Sequence, residues 1–299
     1  MQKFIHRAKR PYDMPEIEPL PRGYIFKPAG EHIDLYHENT RLGRAVYVLA
    51  QARDSESIGW GKLWGWHDND NIWHTEYIPN AYLTGNPAVW LGILANKGWE
   101  GEPDLIPRKL FAQYPVAYQV SRRVLLVPKT GWHENVYVLP HRVIGDVQGE
   151  QPILYPTPTR NPYQTRGTLQ GWQESIGTWA VGNSRMVLAI SATLAGFILH
   201  CYDWAESFGI HFFGNSSRGK TTLLQAAATC CGRGSLAGGY IDSWRATANA
   251  LEGLAAAHSD APFFLDEMGK TSPYVVAEAA YILAGGQEKA RLIAVRLSH

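Results

Sequence analysis

Residues Ile210 to Thr221 read IHFFGNSSRGKT, and from Gly214 onward the spacing Gly-x-x-x-x-Gly-Lys-Thr is matched in full. Each fixed position has a physical reason. Gly214 and Gly219 permit backbone conformations that turn the amides of Asn215, Ser216, Ser217 and Arg218 inward toward phosphate oxygens. Lys220 supplies a point charge that reaches the β- and γ-phosphates, and the Thr221 hydroxyl is a hard oxygen suited to magnesium. Lys220 to Cys231 (KTTLLQAAATCC) predicts an apolar, Ala-rich helix stopped by Gly232. Its positive N-terminal end, with Thr222 in the first turn, faces the same anion. Ile210–Phe213 predicts a buried strand just before the loop. Strand, loop and helix in that order predict an ATP site rather than a chance glycine turn.

A second stretch supports the first. Phe263 to Glu267 reads FFLDE, about 46 residues beyond Lys220, a short apolar strand ending in two carboxylates. In phosphate-loop enzymes the first acid holds magnesium and a following Glu polarises the attacking water. Asp266 is therefore expected at the metal with Thr221, and Glu267 as the base, with Lys220 the other catalytic group. Trp244 to His258 has helix-favouring composition with Ser243 as its cap, and Ser272–Pro273 opens another helix through Leu283. Alternating short apolar strands and helices from residue 168 to 299 predict an α/β domain.

The chain ahead of it reads differently. Residues 1–22 carry Pro11, Pro15, Pro19 and Pro21 and predict an extended leader. Residues 23–150 are rich in Trp, Tyr and Val and predict a mixed α+β domain, with strands over Arg44–Ala52 and Gly61–His67 and a hairpin turn at Asp68–Asn71. In Gly61–His67 alternation puts Leu63 and Gly65 on one face and Trp64 and Trp66 on the other. Trp60, Trp64, Trp66 and Trp73, near Arg53 and Lys62, suit either a core or a platform for stacking bases. Residues 151–167, with Pro152, Pro156, Pro158 and Pro162, predict a linker between the two domains.

Composition narrows the function classes. The net charge of +1 provides no global positive field, so nucleic-acid binding must rest on a local patch or on subunit assembly. Cys201, Cys230 and Cys231 form neither a disulfide framework nor a zinc pattern and read as reduced thiols of a cytoplasmic protein. Met186–Ile198 (MVLAISATLAGFI) falls short of the roughly 20 apolar residues a membrane span needs. It is expected as a core helix buried against a sheet, and no membrane partner is expected.

Several strings resemble one family, the domain of unknown function 927. They are GTLQGW from Gly167, VGNSR from Val181, the phosphate loop, WRATANALEGLAAAH from Trp244, FFLDEMG from Phe263 and YILAGGQEKAR from Tyr281. GWGKLWGW from Gly59 and TGWHENVYVLP from Thr130 fit it too, so the resemblance runs from about residue 23 to 291. It implies a helicase-type ATPase of mobile elements whose core is similar to hexameric AAA+ proteins. ATP and magnesium are the implied cofactors, and single-stranded DNA and further copies of the chain the implied partners. It carries Gly214, Gly219, Lys220, Thr221, Asp266 and Glu267 over as nucleotide and magnesium residues. It also draws notice to Asn183 and Arg185, where a helix cap by Asn183 or Ser184 is the plainer reading. One departure is plain: no sensor strand or arginine finger can be placed after Glu267, so the ATPase domain is expected to be incomplete at its C-terminus. The leading expectation is thus a DNA-helicase-type ATPase. Its alternatives are a nucleotide-binding interaction module with weak turnover and, against the evidence of Glu267, a small-molecule kinase.

Overall fold

The segment Val46–Arg53 (VYVLAQAR) alternates two apolar sets, and its structure shows why. Val46 and Val48 enter one core with Trp64, Trp66, Trp90 and Phe111, while Tyr47 and Leu49 enter a second with Leu63, Trp73 and Ile153. A strand apolar on both faces belongs in the middle of a covered sheet. The computed structural model describes residues 18–157, 160–202, 204, 207–215, 218–245, 251, 253–255, 257–277 and 280. The chain divides into two compact units, the first ending at Pro128 and resuming over His141–Pro156, the second made of Lys129–Pro140 and the chain from Thr157 onward.

The first unit opens with the antiparallel meander β1 (Tyr24–Ala29), β2 (His32–His37) and β3 (Thr40–Arg44). Next come β4 (Val46–Arg53), β5 (Gly61–His67) and β6 (Trp73–Pro79), again antiparallel neighbours. Helices α1 (Asn80–Leu83), α2 (Pro87–Asn96) and α3 (Leu105–Ala117) follow. Then β7 (Arg123–Val127) joins β4 in parallel, and after β8 (Gly131–His133), β9 (Val136–Leu139) and β10 (Arg142–Ile144), β11 (Gln151–Leu154) joins β7 in parallel. The resulting order is β11-β7-β4-β5-β6. Asn86 caps α2 by accepting from the amide of Ala88, with Pro87 in the first turn. The Lys62 ammonium donates to the carbonyls of Pro115 and Tyr118, satisfying the C-terminal end of α3 at 2.5 and 2.6 Å, and burial pushes its pKa down.

The tryptophan question resolves in favour of the core. Trp64 and Trp66 are fully buried and Trp73 is 8% exposed, so none of the three is a stacking platform. Trp60 alone of the four is half-buried, with the Arg53 and Arg123 guanidinium groups 5.7 and 5.8 Å from its ring centre. Gly65, on the face opposite Trp64 and Trp66, has no room for a side chain, since a Cβ there falls 2.2 Å from the Trp73 ring.

Unit two departs from the expected linear division. Strands β8 and β9 form a hairpin, with Trp132 opposite Tyr137, and belong to this unit although the sequence grouped them with residues 23–150. The reason is chemical: Thr130 and Tyr137 donate to the carbonyls of Ala257 and Asp260. Nor is 151–167 a free linker. Its first residues form β11, and farther on Arg160 binds the Asp242 carboxylate and the Gly239 carbonyl while Tyr163 donates to Ala257. Of the leader, residues 1–17 lie outside the described residues. Glu18 is tied down, its carboxylate accepting from the amide and hydroxyl of Ser121 at 2.6 and 2.7 Å.

The remaining elements are helical except for one small sheet. Residues 169–180 form one helix, α4 (Leu169–Trp172), a π-helical turn (Gln173–Gly177) and α5 (Thr178–Ala180), capped by Thr168. Then come α6 (Ser184–Ile198), α7 (Lys220–Ala228) and the parallel pair β12 (Ile241–Ser243) and β13 (Phe264–Asp266). Helix α6 is not buried all round as expected. Met186, Ala189, Ile190 and Thr193 are covered, whereas Val187, Leu188, Leu194 and Ile198 are exposed. Among the described residues, 184–201 is the one helix long and apolar enough to cross a membrane. Ile210–Phe213 forms no strand either: of the four, Phe212 packs on the core that holds Ala227 and Phe264, and Phe213 is 85% exposed. An extended segment becomes a strand only when a neighbour takes up its backbone groups, and the described sheet here has two strands, both elsewhere. Of the helix expected over 244–258, residues 246–250, 252 and 256 lie outside the described residues, as does everything from 281 onward.

Replacing Gly65 by Ala is expected to lower the unfolding free energy by about 1–3 kcal/mol through overpacking against Trp73. Urea unfolding followed by tryptophan fluorescence measures it, and an unchanged midpoint would show that the sheet yields.

Candidate functional site

Three alanines in a row decide how α7 is held. Ala226, Ala227 and Ala228 are buried, packing with Ala189 in one cluster and with Met186 and Ile190 in another. Small side chains let the helix seat closely on α6, which fixes its first residues, Lys220 and Thr221. Gly219 precedes them as the N-cap with φ 81°, and Gly214 has φ 143°. Around both glycines the space a Cβ would take is open, so left-handed backbone rather than crowding demands glycine there. The Lys220 ammonium folds back over the loop, donating to the carbonyls of Gly214 and Asn215 at 2.9 and 2.8 Å. Arg218 and Thr222 are exposed, and Ser216 and Ser217 lie outside the described residues.

The acidic strand meets this helix. Strand β13 lies beside β12 in parallel register, Asp242 opposite Leu265 and Ser243 opposite Asp266, and the Trp244 amide donates to the Asp266 carbonyl. The Thr221 hydroxyl donates to Asp266 Oδ2 at 2.9 Å, across 45 residues of sequence. Asp266 Oδ1 accepts from the Glu267 amide at 2.7 Å. Two hard oxygens held side by side are the donor type magnesium takes, so Thr221 and Asp266 fit such an ion. Glu267 has φ 68°, an uncommon conformation for a residue with a side chain. Its carboxylate lies 3.4 Å from the Arg245 Nε, a pair half open to solvent. The structure thus brings Gly214, Gly219, Lys220, Thr221, Asp266 and Glu267 into one region of the second unit.

Sequence reasoning missed Arg245. It lay inside a run read as helix, whereas the chain there is the end of β12 and the turn after it, with Ser243 Oγ accepting from the Arg245 amide. No composition signal marks β12, a three-residue strand. Asn183 is the N-cap of α6, accepting from the Met186 amide at 3.2 Å, which gives it a structural role. Cys230 and Cys231 lie at the far end of α7, and burial pushes both thiols up, away from reactive thiolate.

The family model described as a domain of unknown function (DUF927) matches residues 22–293. The chain belongs to that family. No curated protein matches it by sequence. Among solved structures, the DUF927 chain is similar to one titled "SCCmec type IV Cch - active helicase", with a TM-score of 0.67 and 18% identity over 90% of its length. That match spans 51% of the helicase, so the chain corresponds to about half the neighbour's length. At this identity the likeness speaks to a shared mixed α/β fold.

The open space beside Gly219 yields a sharp expectation. Gly219→Ala places an L side chain in left-handed backbone and costs about 1–2 kcal/mol of stability, with no steric surplus. A loss of twice that in a thermal or urea melt would mean that the loop is packed more tightly than its geometry shows.

Proposed function

We propose that this DUF927 protein binds ATP with magnesium at the loop Gly214–Thr221 and hydrolyses it as a helicase-type ATPase acting on DNA of a mobile element. The observation that carries the reading is the 2.9 Å contact between Thr221 and Asp266. Two distant motifs that chemistry assigns to one ion touch each other, with the positive end of α7 alongside. The helicase neighbour supports the DNA-directed part of the reading.

In this reading the loop amides and the α7 N-terminus bind the phosphates, and Lys220 moves from the loop carbonyls to the phosphate oxygens. Thr221 and Asp266 would hold magnesium, whose contribution would be to offset the negative charge of the phosphates. Glu267 orients the attacking water and accepts its proton. The Arg245 pair holds that carboxylate in place and has to loosen for it to act. That pair favours a second reading, a module that binds nucleotide but turns it over slowly until a partner draws Arg245 away. Assembly with further copies and a cytoplasmic location belong to the first reading as the resemblance implies it.

ATP turnover by the purified protein, with and without single-stranded DNA, separates these. Turnover stimulated by DNA and reduced at least about a hundredfold by Lys220→Ala is expected of the motor. Lys220-dependent binding without turnover would mean the slow module, and binding indifferent to Lys220 would end both.

A further inference from the structure

Thr221 and Asp266 sit on α7 and β13, which pack directly, Ala227 and Ala228 with Phe264, in a cluster that also holds Ala189 of α6. Helix α6 carries α7, and with it Thr221, through the close alanine packing. Strand β13 carries Asp266 and is approached through the turn Ala257–Pro262. Because α6, α7 and β13 share that cluster, a strain of α6 against the turn is passed to the elements that hold Thr221 and Asp266.

The two meet at their approaches, where the fit is close. A Cβ on Gly196 of α6 would lie 3.0 Å from the Pro262 ring. One residue from a third part of the chain then joins them. The Trp132 indole N–H donates to the Phe197 carbonyl at the end of α6, at 2.7 Å. The Trp132 backbone amide donates to Asp260 Oδ2 at 2.9 Å. The ring also stacks on His200, just past α6, at 6.3 Å and 13° between planes.

The residues around Trp132 are shaped for this contact. Gly131 has φ 105°, and a Cβ there would lie 2.7 Å from the Ser259 carbonyl and 2.6 Å from the Asp260 carboxylate. No other residue type lets β8 approach the turn so closely. Tyr137, opposite Trp132 across the hairpin, donates to the Asp260 carbonyl at 3.0 Å and sets its ring edge-on to Phe197. Asp260 itself holds left-handed backbone, φ 51°. Strain at that turn persists because several contacts determine it together.

We infer that Trp132 is a positioning residue for the magnesium site, a strap that sets α6 against the approach to β13 and so sets Thr221 against Asp266. The inference rests on the nucleotide reading above and deepens it. The strap is spelled by residues that lie, in sequence, between two strands of the first unit.

The test uses the full chain and the fluorescent nucleotide mant-ATP, titrated with magnesium. Trp132→Phe keeps an aromatic ring and removes the indole donor. It is expected to raise the magnesium concentration for half-maximal tightening of mant-ATP binding roughly three- to tenfold, the worth of one well-made hydrogen bond. Magnesium-free mant-ATP affinity should stay within about twofold, because the loop and Lys220 are untouched. Asp260→Ala should repeat the shift and Asp260→Asn, which keeps an acceptor, should largely undo it. A merely structural role would lower melting temperature and leave the magnesium midpoint where it was. An unchanged midpoint in Trp132→Phe and Asp260→Ala, with binding still lost in Lys220→Ala, overturns the strap alone. Wild-type binding that ignores Lys220 overturns the nucleotide reading beneath it.

Discussion

Thr221 and Asp266 are brought together by a helix and a strand that share no sequence neighbourhood, and the arrangement of the second unit follows from keeping them so. A hydroxyl and a carboxylate at hydrogen-bond distance tolerate displacements of only a few tenths of an ångström before the bond weakens. Packing alone supplies that tolerance where the contacting groups are small and rigid. Ala226, Ala227 and Ala228 are such groups, with no rotamers to adjust, and they explain why α7 ends in three alanines where larger apolar residues would have served for burial alone.

The motifs were legible because their chemistry is local. A phosphate loop needs glycine at two positions whose backbone is left-handed, and both Gly214 and Gly219 are so. A carboxylate at the end of a short apolar strand is likewise a local pattern, and Phe264–Asp266 is that strand. Trp64 and Trp66 were placed on one face by alternation alone, though alternation does not say whether a face meets water or a helix. What decided it was α2 and α3, whose Trp90 and Phe111 close over them.

What stayed hidden depends on residues far apart in sequence. Ile210–Phe213 has the composition of a strand, yet composition does not provide the neighbour a strand needs. Strand β12 went unseen because three residues carry no period, and Arg245 went with it. The hairpin β8–β9 falls inside 23–150, the region read as one Trp-rich domain, which its composition matches. Its membership in the second unit is set by four hydrogen bonds, two at Trp132 and one each at Thr130 and Tyr137, reaching residues 65 to 128 positions away.

That hairpin changes what the two units mean. A linear cut between residues 150 and 168 would separate the second unit from Lys129–Pro140, and with it from the donors that occupy the carbonyls of Phe197, Ala257 and Asp260. Some of those carbonyls would find water, but the apolar contacts of Tyr137 with Phe197 would not be replaced. The chain therefore passes out of the first unit, supplies the second with the donors of Thr130, Trp132 and Tyr137, and returns to form β11. An interrupted unit of this kind ties its stability to a segment inserted between two stretches of the first unit, so that the chain crosses between the units three times, after Pro128, Pro140 and Pro156.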